Sequence, residues 1–275
     1  MKVLCFDTPA DFLYASKAFR SRDPIRTGLI TSIATSVSNG SRTYEGYFWL
    51  AAIDGEEVRG LAIRTLPYGY VFSPMSNDSV EVLYSFISIE DSIANEFSGP
   101  KSVIDFLEKV SGKQVTEEES ELIYENRKLI PAKPIGEFRT AVTSDFDLIY
   151  KWMQAFIEET SLRNFNLENM VRTALEAGRY TLLEVGDVVV SLGGNSETQE
   201  FDGFSIGRVG PIYTPHEFRK KGYASALTSA ISEKLLNRGV IPTLYTQATN
   251  PTSNKIYQEI GYTLVDENRR IVFAQ

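Results

Sequence analysis

Residues 213–227 read YTPHEFRKKGYASAL, with Arg219, Lys220 and Lys221 directly before Gly222 and a small-residue helical pattern directly after it. The first N–H groups of a helix have no partner within the helix, and the helix dipole puts partial positive charge at the same end. Together they make a place for an anion such as a phosphate. Glycine takes backbone torsions that a side chain forbids and lets a ligand come close. Ala224 and Ser225 keep the first turn small, and the three cations raise the local potential. A diphosphate is the natural guest. The stretch lacks the G-x-x-x-x-G-K-[ST] of a Walker loop, and GRVGPIYT does not supply a dinucleotide G-x-G-x-x-G. Read alone, it is equally a basic helix start on a solvated surface.

A second constellation lies about thirty residues on, in LYTQATNPTSNKIYQEIGY, residues 244–262. Asn250 is placed to cap a short helix, Pro251 suits its first position, and Gly261 falls just past its end. Asn250, Asn254 and Tyr257 are spaced by four and three, which puts them on one helical face. The competing reading of Tyr257 is a core aromatic.

The two motifs, R-x-x-G-x-A after a strand and an Asn…Tyr helix ending in Gly-aromatic, resemble the coenzyme A loop and the last motif of the GNAT N-acetyltransferases. The resemblance covers residues from about 137 to 275. It implies an α/β (α+β) acyl-CoA N-acyltransferase fold, a mixed central sheet flanked by helices, with acetyl-CoA as cosubstrate. In that family the strand before the loop pairs through its backbone with the pantetheine arm; Ile212, Tyr213 and Thr214 match it here. The N–H groups of Arg219, Lys220, Lys221, Gly222, Tyr223, Ala224 and Ser225 match the pyrophosphate loop. Asn250 matches a contact to the coenzyme arm, with Asn254 on the same face. Tyr257 matches the residue that protonates the departing thiolate, a task suited to a phenol near its ordinary pKa of about 10. A backbone N–H near Tyr213 would polarise the thioester carbonyl. No general base is assigned: Glu158, Glu159, Glu200 and Asp202 read as solvated charges, and His216 as a surface turn residue.

These motifs need elements to hold them. In the second half, EFRTAVTSD predicts a strand, and SDFDLIYKWMQAFIEET a helix capped by Ser144. NFNLENMVRTALEAG predicts another helix. YTLLEVGDVVVSLGG reads as two strands around Gly186-Asp187, and FDGFSIGRVGPIYT as a turn and a long strand. Between them, Gly193, Gly194 and Gly203 in VSLGGNSETQEFDGFS suggest a flexible hairpin, or the flank of an acceptor cleft. A helix runs to Gly239, VIPTLYTQ follows as a strand, and YTLVDENRRIVFAQ closes the chain as a strand pair. In the first half, YFWLAAIDGEEVRGLAIRTLPYGYVFSPM predicts successive strands with a hairpin at Asp54-Gly55. Helices are expected in DFLYASKAFRSRDPIRTGLITSIA and PKSVIDFLEKVSGK. IPAKPIGEF is the linker candidate. The expected division is a degenerate GNAT-like or α+β accessory domain over 1–130, a linker over 131–137 and a GNAT domain over 138–275. Nothing in the first half matches R-x-x-G-x-[GA]; FSGPKSVIDFL starts a helix after Gly99-Pro100 but without the basic run.

The 275 residues, 43% hydrophobic and 23% charged, suffice for a globular core. The net charge of −8 argues against nucleic acid as a partner. With one cysteine, Cys5, and one histidine, His216, neither a disulfide nor a metal cluster is expected. MKVLCFDTPADF lacks a signal-peptide core, and no apolar run is long enough to span a membrane. A cytoplasmic protein is expected, acting on a small-molecule or peptide amine, with homo-oligomerisation left open. A non-catalytic acyl-CoA sensor and an aminoacyl-tRNA-dependent transferase are the alternatives; the charge and the intact loop disfavour the latter.

Overall fold

The computed structural model describes residues 1–160 and 166–274, which form two compact units. The first holds residues 1–123, 246–249 and the chain from Leu264 onward; the second holds 124–245 and 250–263.

In the first unit, β1 (Lys2–Phe6) precedes helices α1 (Pro9–Ala15), α2 (Lys17–Arg22) and α3 (Gly28–Ser38). Strands β2 (Tyr47–Asp54), β3 (Glu57–Thr65) and β4 (Tyr70–Phe72), helix α4 (Asn77–Glu90), strand β5 (Glu96–Pro100), helix α5 (Lys101–Ser111) and strand β6 (Val115–Glu125) follow. The last strand of the chain, β13 (Thr263–Phe273), returns to this unit, giving the order β1-β2-β3-β4-β5-β13-β6. β4 and β5 are parallel, joined through α4, and β13 lies antiparallel to β5. Phe72, Leu83, Phe97, Ile104, Leu107 and Phe273 form one side of the core, and Phe12, Ile30, Trp49 and Leu61 another. Asp54-Gly55 makes the expected hairpin, Gly55 taking the left-handed torsion (φ 62°) that the turn needs.

The second unit contains β7 (Glu137–Thr140), α6 (Phe146–Thr160), α7 (Leu167–Glu176), β8 (Tyr180–Val185), β9 (Val188–Asn195), β10 (Gln199–Phe201), β11 (Phe204–Tyr213), α8 (Tyr223–Leu236), β12 (Val240–Gln247) and α9 (Pro251–Glu259). The order is β7-β8-β9-β11-β12, with β10 on β11; β11 and β12 are the parallel pair, joined through α8. Alternation along the strands gives each face its own helices. Leu182, Leu192 and Tyr213 pack with Trp152 and Met153 of α6 and with Val171 and Leu175 of α7. Leu183, Val190 and Val209 pack with Leu227, Ile231 and Leu235 of α8.

Several expectations change. YTLVDENRRIVFAQ is not a strand pair but one strand, whose pairing along Asn268↔Pro100 to Val272↔Glu96 places it in the first unit. The units therefore divide near residue 124 rather than across 131–137, because Asn126 already donates to the carbonyls of Pro242 (2.9 Å) and Ile260 (3.0 Å). Ser144 does not cap α6. A turn of 3-10 helix (Thr143–Asp145) leads into it, in which Asp145 accepts from the Val142 N–H at 2.8 Å while Arg139 grips both of its oxygens. β1, which no sequence signal announced, forms by pairing along β2. Gly193 and Gly194 lie within β9: a Cβ at Gly193 would come within 2.6 Å of Ile231 of α8. They serve close packing, not flexibility. Residues 164–165 of the second predicted helix lie outside the described residues; its described part starts with Asn166 as cap.

Candidate functional site

β11 and β12 pair from Ser205↔Val240 to Arg208↔Thr243, and among the described residues the register ends there. β11 then bulges between Val209 and Ile212 and continues against β9 (Ile212↔Gly193, Tyr213↔Leu192). The β12-facing edge from Val209 to Tyr213 is thus released over four residue steps, roughly 13 Å. Backbone groups along such an edge need partners.

The far end of this edge is fixed. Buried Ser191 on β9 donates to the Tyr213 carbonyl at 3.0 Å and shares a hydrogen bond of 2.8 Å with the Thr214 hydroxyl. The Tyr213 ring stands by Trp152 at 6.1 Å, and burial pushes its phenol pKa up. Ile212 turns its side chain toward α8.

A turn of 3-10 helix (His216–Phe218) leads into the basic stretch. Lys220 has φ 63°, the one left-handed non-glycine among the described residues, and Gly222 has φ 82°. Left-handed residues in such turns gather N–H groups into an anion-binding concavity. Gly222 is the cap residue of α8 and provides no side-chain bond, so the N–H groups of Tyr223, Ala224 and Ser225 start the helix without a side-chain cap. A Cβ at Gly222 would lie 3.3 Å from Ile135 Cδ1, a tight contact on top of an unfavourable torsion.

The three cations have different duties. Arg219 donates through Nε to the Thr214 carbonyl (2.8 Å) and through Nη2 to both oxygens of Glu159 at the end of α6 (2.7 and 2.6 Å). Its charge is therefore shared with a carboxylate, and Glu159 is a partner of the loop rather than a merely solvated charge. Lys220 and Lys221 are exposed, Lys221 with its ammonium 5.7 Å from the Phe218 ring centre. His216 is exposed in its turn.

Asn250 caps α9, its Oδ1 accepting from the Ser253 N–H at 3.0 Å. Asn254 and Tyr257 are half-buried on the same helix. The Tyr257 ring packs against Tyr124 (6.5 Å) and Tyr262 (6.0 Å), and its hydroxyl is hydrogen-bonded to Ser253. Burial pushes its pKa up to about 12, above the ordinary phenol value expected from sequence. The structure thus brings residues 212–225 together as one strand-to-helix corner. Sequence reasoning missed Ser191 and Glu159, since each acts through a partner far along the chain that no local pattern marks.

Residues 203–271, from the end of β10 into β13, match the family model described as FR47-like protein. No curated protein sequence matches the chain. An acetyltransferase from the GNAT family from Colwellia psychrerythraea superposes with a TM-score of 0.69 at 12% identity, over 100% of both chains. A GCN5-related N-acetyltransferase from Sphaerobacter thermophilus gives 0.64 at 16%, over 99% of this chain and 96% of that one. A tandem GNAT protein from the clavulanic acid biosynthesis pathway gives 0.62 at 8%, over 98% and 97%. The chain has the tandem GNAT fold.

Within the GNAT fold of the first unit, β4–α4–β5 stands where β11–α8–β12 stands in the second. The corner is closed. β4 and β5 pair at Tyr70↔Phe97 and Val71↔Ser98, and Ser98 Oγ donates to the Tyr70 carbonyl at 3.2 Å. Contact continues past the last pair, since a Cβ at Gly99 would fall 2.7 Å from the Phe72 carbonyl oxygen. The loop before α4 reads SPMSNDS and carries no basic residue. Ser76 caps the helix, accepting from the Ser79 N–H at 3.4 Å, and Asp78 puts negative charge in the first turn. The helix of FSGPKSVIDFL, α5, follows the second parallel strand, as α9 does.

Proposed function

We propose that the second unit is an acyl-CoA-dependent N-acyltransferase, with acetyl-CoA as donor and a primary amine of a small molecule or peptide as acceptor. One observation carries this reading: the released edge of β11 runs directly into the uncapped, left-handed start of α8. The edge offers extended backbone groups to the pantetheine amides at Ile212, Tyr213 and Thr214. The corner offers N–H groups and the Lys220 and Lys221 charges to the diphosphate, and the glycine at position 222 leaves the space that a Cβ would take. Asn250 and Asn254 flank the arm on α9. Bound acetyl-CoA supplies an acyl thioester open to attack by an amine.

An N–H of the released edge near Tyr213 polarises the thioester carbonyl. Tyr257 acts as the proton donor to the leaving sulfur; with its pKa raised to about 12, it holds its proton throughout the neutral range. The packing of Tyr257 between two tyrosine rings also suits a protein that binds the coenzyme without turnover. The reading places the protein in the cytoplasm without a nucleic acid partner; among the described residues no helix is long and apolar enough to cross a membrane.

The test compares thermal unfolding with and without acetyl-CoA for the wild type and Gly222→Glu. Stabilisation of the wild type alone is expected. No stabilisation of the wild type would overturn both the enzyme and the sensor. Thiol release with a panel of amines then separates them.

A further inference from the structure

We infer that Ser191 is the positioning residue for the acyl-CoA arm: by holding the Tyr213 carbonyl against β9, it leaves Ile212 as the residue that turns both its N–H and its C=O to the ligand. The inference rests on the acyltransferase reading and deepens it, from an edge that binds the arm to the residue that sets how that edge is presented.

Ser191 is fully buried and pairs with Leu183 across β8 and β9. Leu183 packs with the α8 cluster, and Gly193, two residues on from Ser191, faces Ile231 of α8. Ser191 therefore lies on the α8 face of β9. Ile212 lies on the α8 face of β11, and by alternation so does Thr214. Among the described residues, Tyr213↔Leu192 is the last register pair between these strands. One step further, the Ser191 and Thr214 hydroxyls meet at 2.8 Å. The Ser191 hydrogen goes to the Tyr213 carbonyl at 3.0 Å, so the Thr214 hydroxyl is the donor to Ser191. The two bonds do not compete, and they carry the ladder one step past its backbone pairs.

These bonds fix directions. A serine side chain is short, so it reaches the Tyr213 carbonyl only where that carbonyl leans toward β9. In an extended strand the N–H and C=O of one residue point to the same side, and those of the next residue to the other. Tyr213 thus turns both of its groups toward β9. Ile212 and Thr214 turn theirs to the side that β12 leaves after Arg208↔Thr243. The Thr214 carbonyl accepts from Arg219 Nε at 2.8 Å, and Pro211 has no N–H. Ile212 remains with one donor and one acceptor, which is what an amide of an extended arm pairs with. Without Ser191 the Tyr213 carbonyl is free to rotate, and the register offered to the arm slips with it.

The test uses the full chain. Titration calorimetry compares acetyl-CoA with 3′-phosphoadenosine 5′-diphosphate, the same nucleotide without the arm, for wild type, Ser191→Ala and Ser191→Thr. In Ser191→Ala, acetyl-CoA should bind about tenfold more weakly, while the nucleotide holds within about twofold. Ser191→Thr, which keeps the hydroxyl, should recover most of that loss. Equal weakening of both ligands, no weakening of acetyl-CoA, or no recovery in Ser191→Thr at unchanged thermal stability would overturn the inference. Amide hydrogen exchange of the wild type reads the geometry without a substitution. The Tyr213 N–H should exchange slowly with or without acetyl-CoA, and the Ile212 N–H at least about tenfold more slowly once acetyl-CoA is bound. A Tyr213 N–H that exchanges freely until the ligand binds would overturn the assignment. Wild type that binds acetyl-CoA with any of these adverse results removes the inference alone; wild type that binds no acetyl-CoA removes the reading beneath it.

Discussion

The two strand–helix–strand corners share a topology and part company in three local choices. In the second unit the parallel strands separate after Arg208↔Thr243, the helix starts on an uncapped glycine, and lysines precede it. In the first the strands stay in contact through Phe72 and Gly99, the helix starts on a capping serine, and an aspartate follows. A parallel pair needs partners for its backbone groups. The first corner meets that need internally, so it is a finished structural element. The second does not meet it by pairing with β12, and the proposed function assigns that part to a ligand.

The comparison breaks most sharply at its glycines. Gly222→Glu puts a carboxylate and a strained torsion where the anion should lie. A loss of acetyl-CoA affinity of at least about a hundredfold is expected in calorimetric titration, from like-charge repulsion and blocked N–H groups together. Gly99→Ala should leave the affinity of the folded protein unchanged and instead destabilise the fold by about 2 kcal/mol, because its Cβ meets the Phe72 carbonyl. Denaturant unfolding measures this. An affinity loss in Gly99→Ala would mean that the first corner is not the closed one.

Tyr257→Phe comes next. Retained coenzyme binding and a fall in kcat of about tenfold to a hundredfold are expected. The sign with pH follows from the raised value: an acid must be protonated to act, so loss of the Tyr257 proton should depress kcat only as pH approaches about 12. A basic limb near pH 9 that vanishes in Tyr257→Phe would contradict the burial of this phenol. Unchanged kcat in the variant would return Tyr257 to the role of a packed aromatic.

Much of this was legible in the residues. Gly222 after a basic run, and Asn250-Pro251 with Gly261, are local signals whose causes lie within a few residues, and the helices form where those signals put them. The hairpin at Asp54-Gly55 is of the same kind. What sequence could not give is long-range. β13 reads as half of a hairpin until its partner β5 is known, about 170 residues away. Gly193 and Gly194 look flexible until Ile231 is seen against them. Ser191 in VVVSLGG is an ordinary strand serine until the Tyr213 carbonyl arrives. Which helix of the first half is equivalent to α8 is likewise hidden: the pairing of β4 with β5 decides it, and pairing is not a local property.

The smallest effect is expected at Glu159, and it bears on what the loop's charge does. The Arg219–Glu159 pair is partly exposed on both sides (37% and 47% of the side chains), so its net contribution to folding should be under ~1 kcal/mol. Glu159→Gln should therefore barely move the unfolding midpoint. Removing a negative charge beside an anion site should still tighten acetyl-CoA by about twofold to fivefold at low salt, and that gain should fade as salt screens it. The matched change in the closed corner, Asp78→Asn, should leave coenzyme affinity alone. Weaker binding in Glu159→Gln at every salt concentration would show that the carboxylate props Arg219 against the Thr214 carbonyl to shape the loop. The corner would then depend on a side-chain clamp, and backbone geometry alone would not separate the two units.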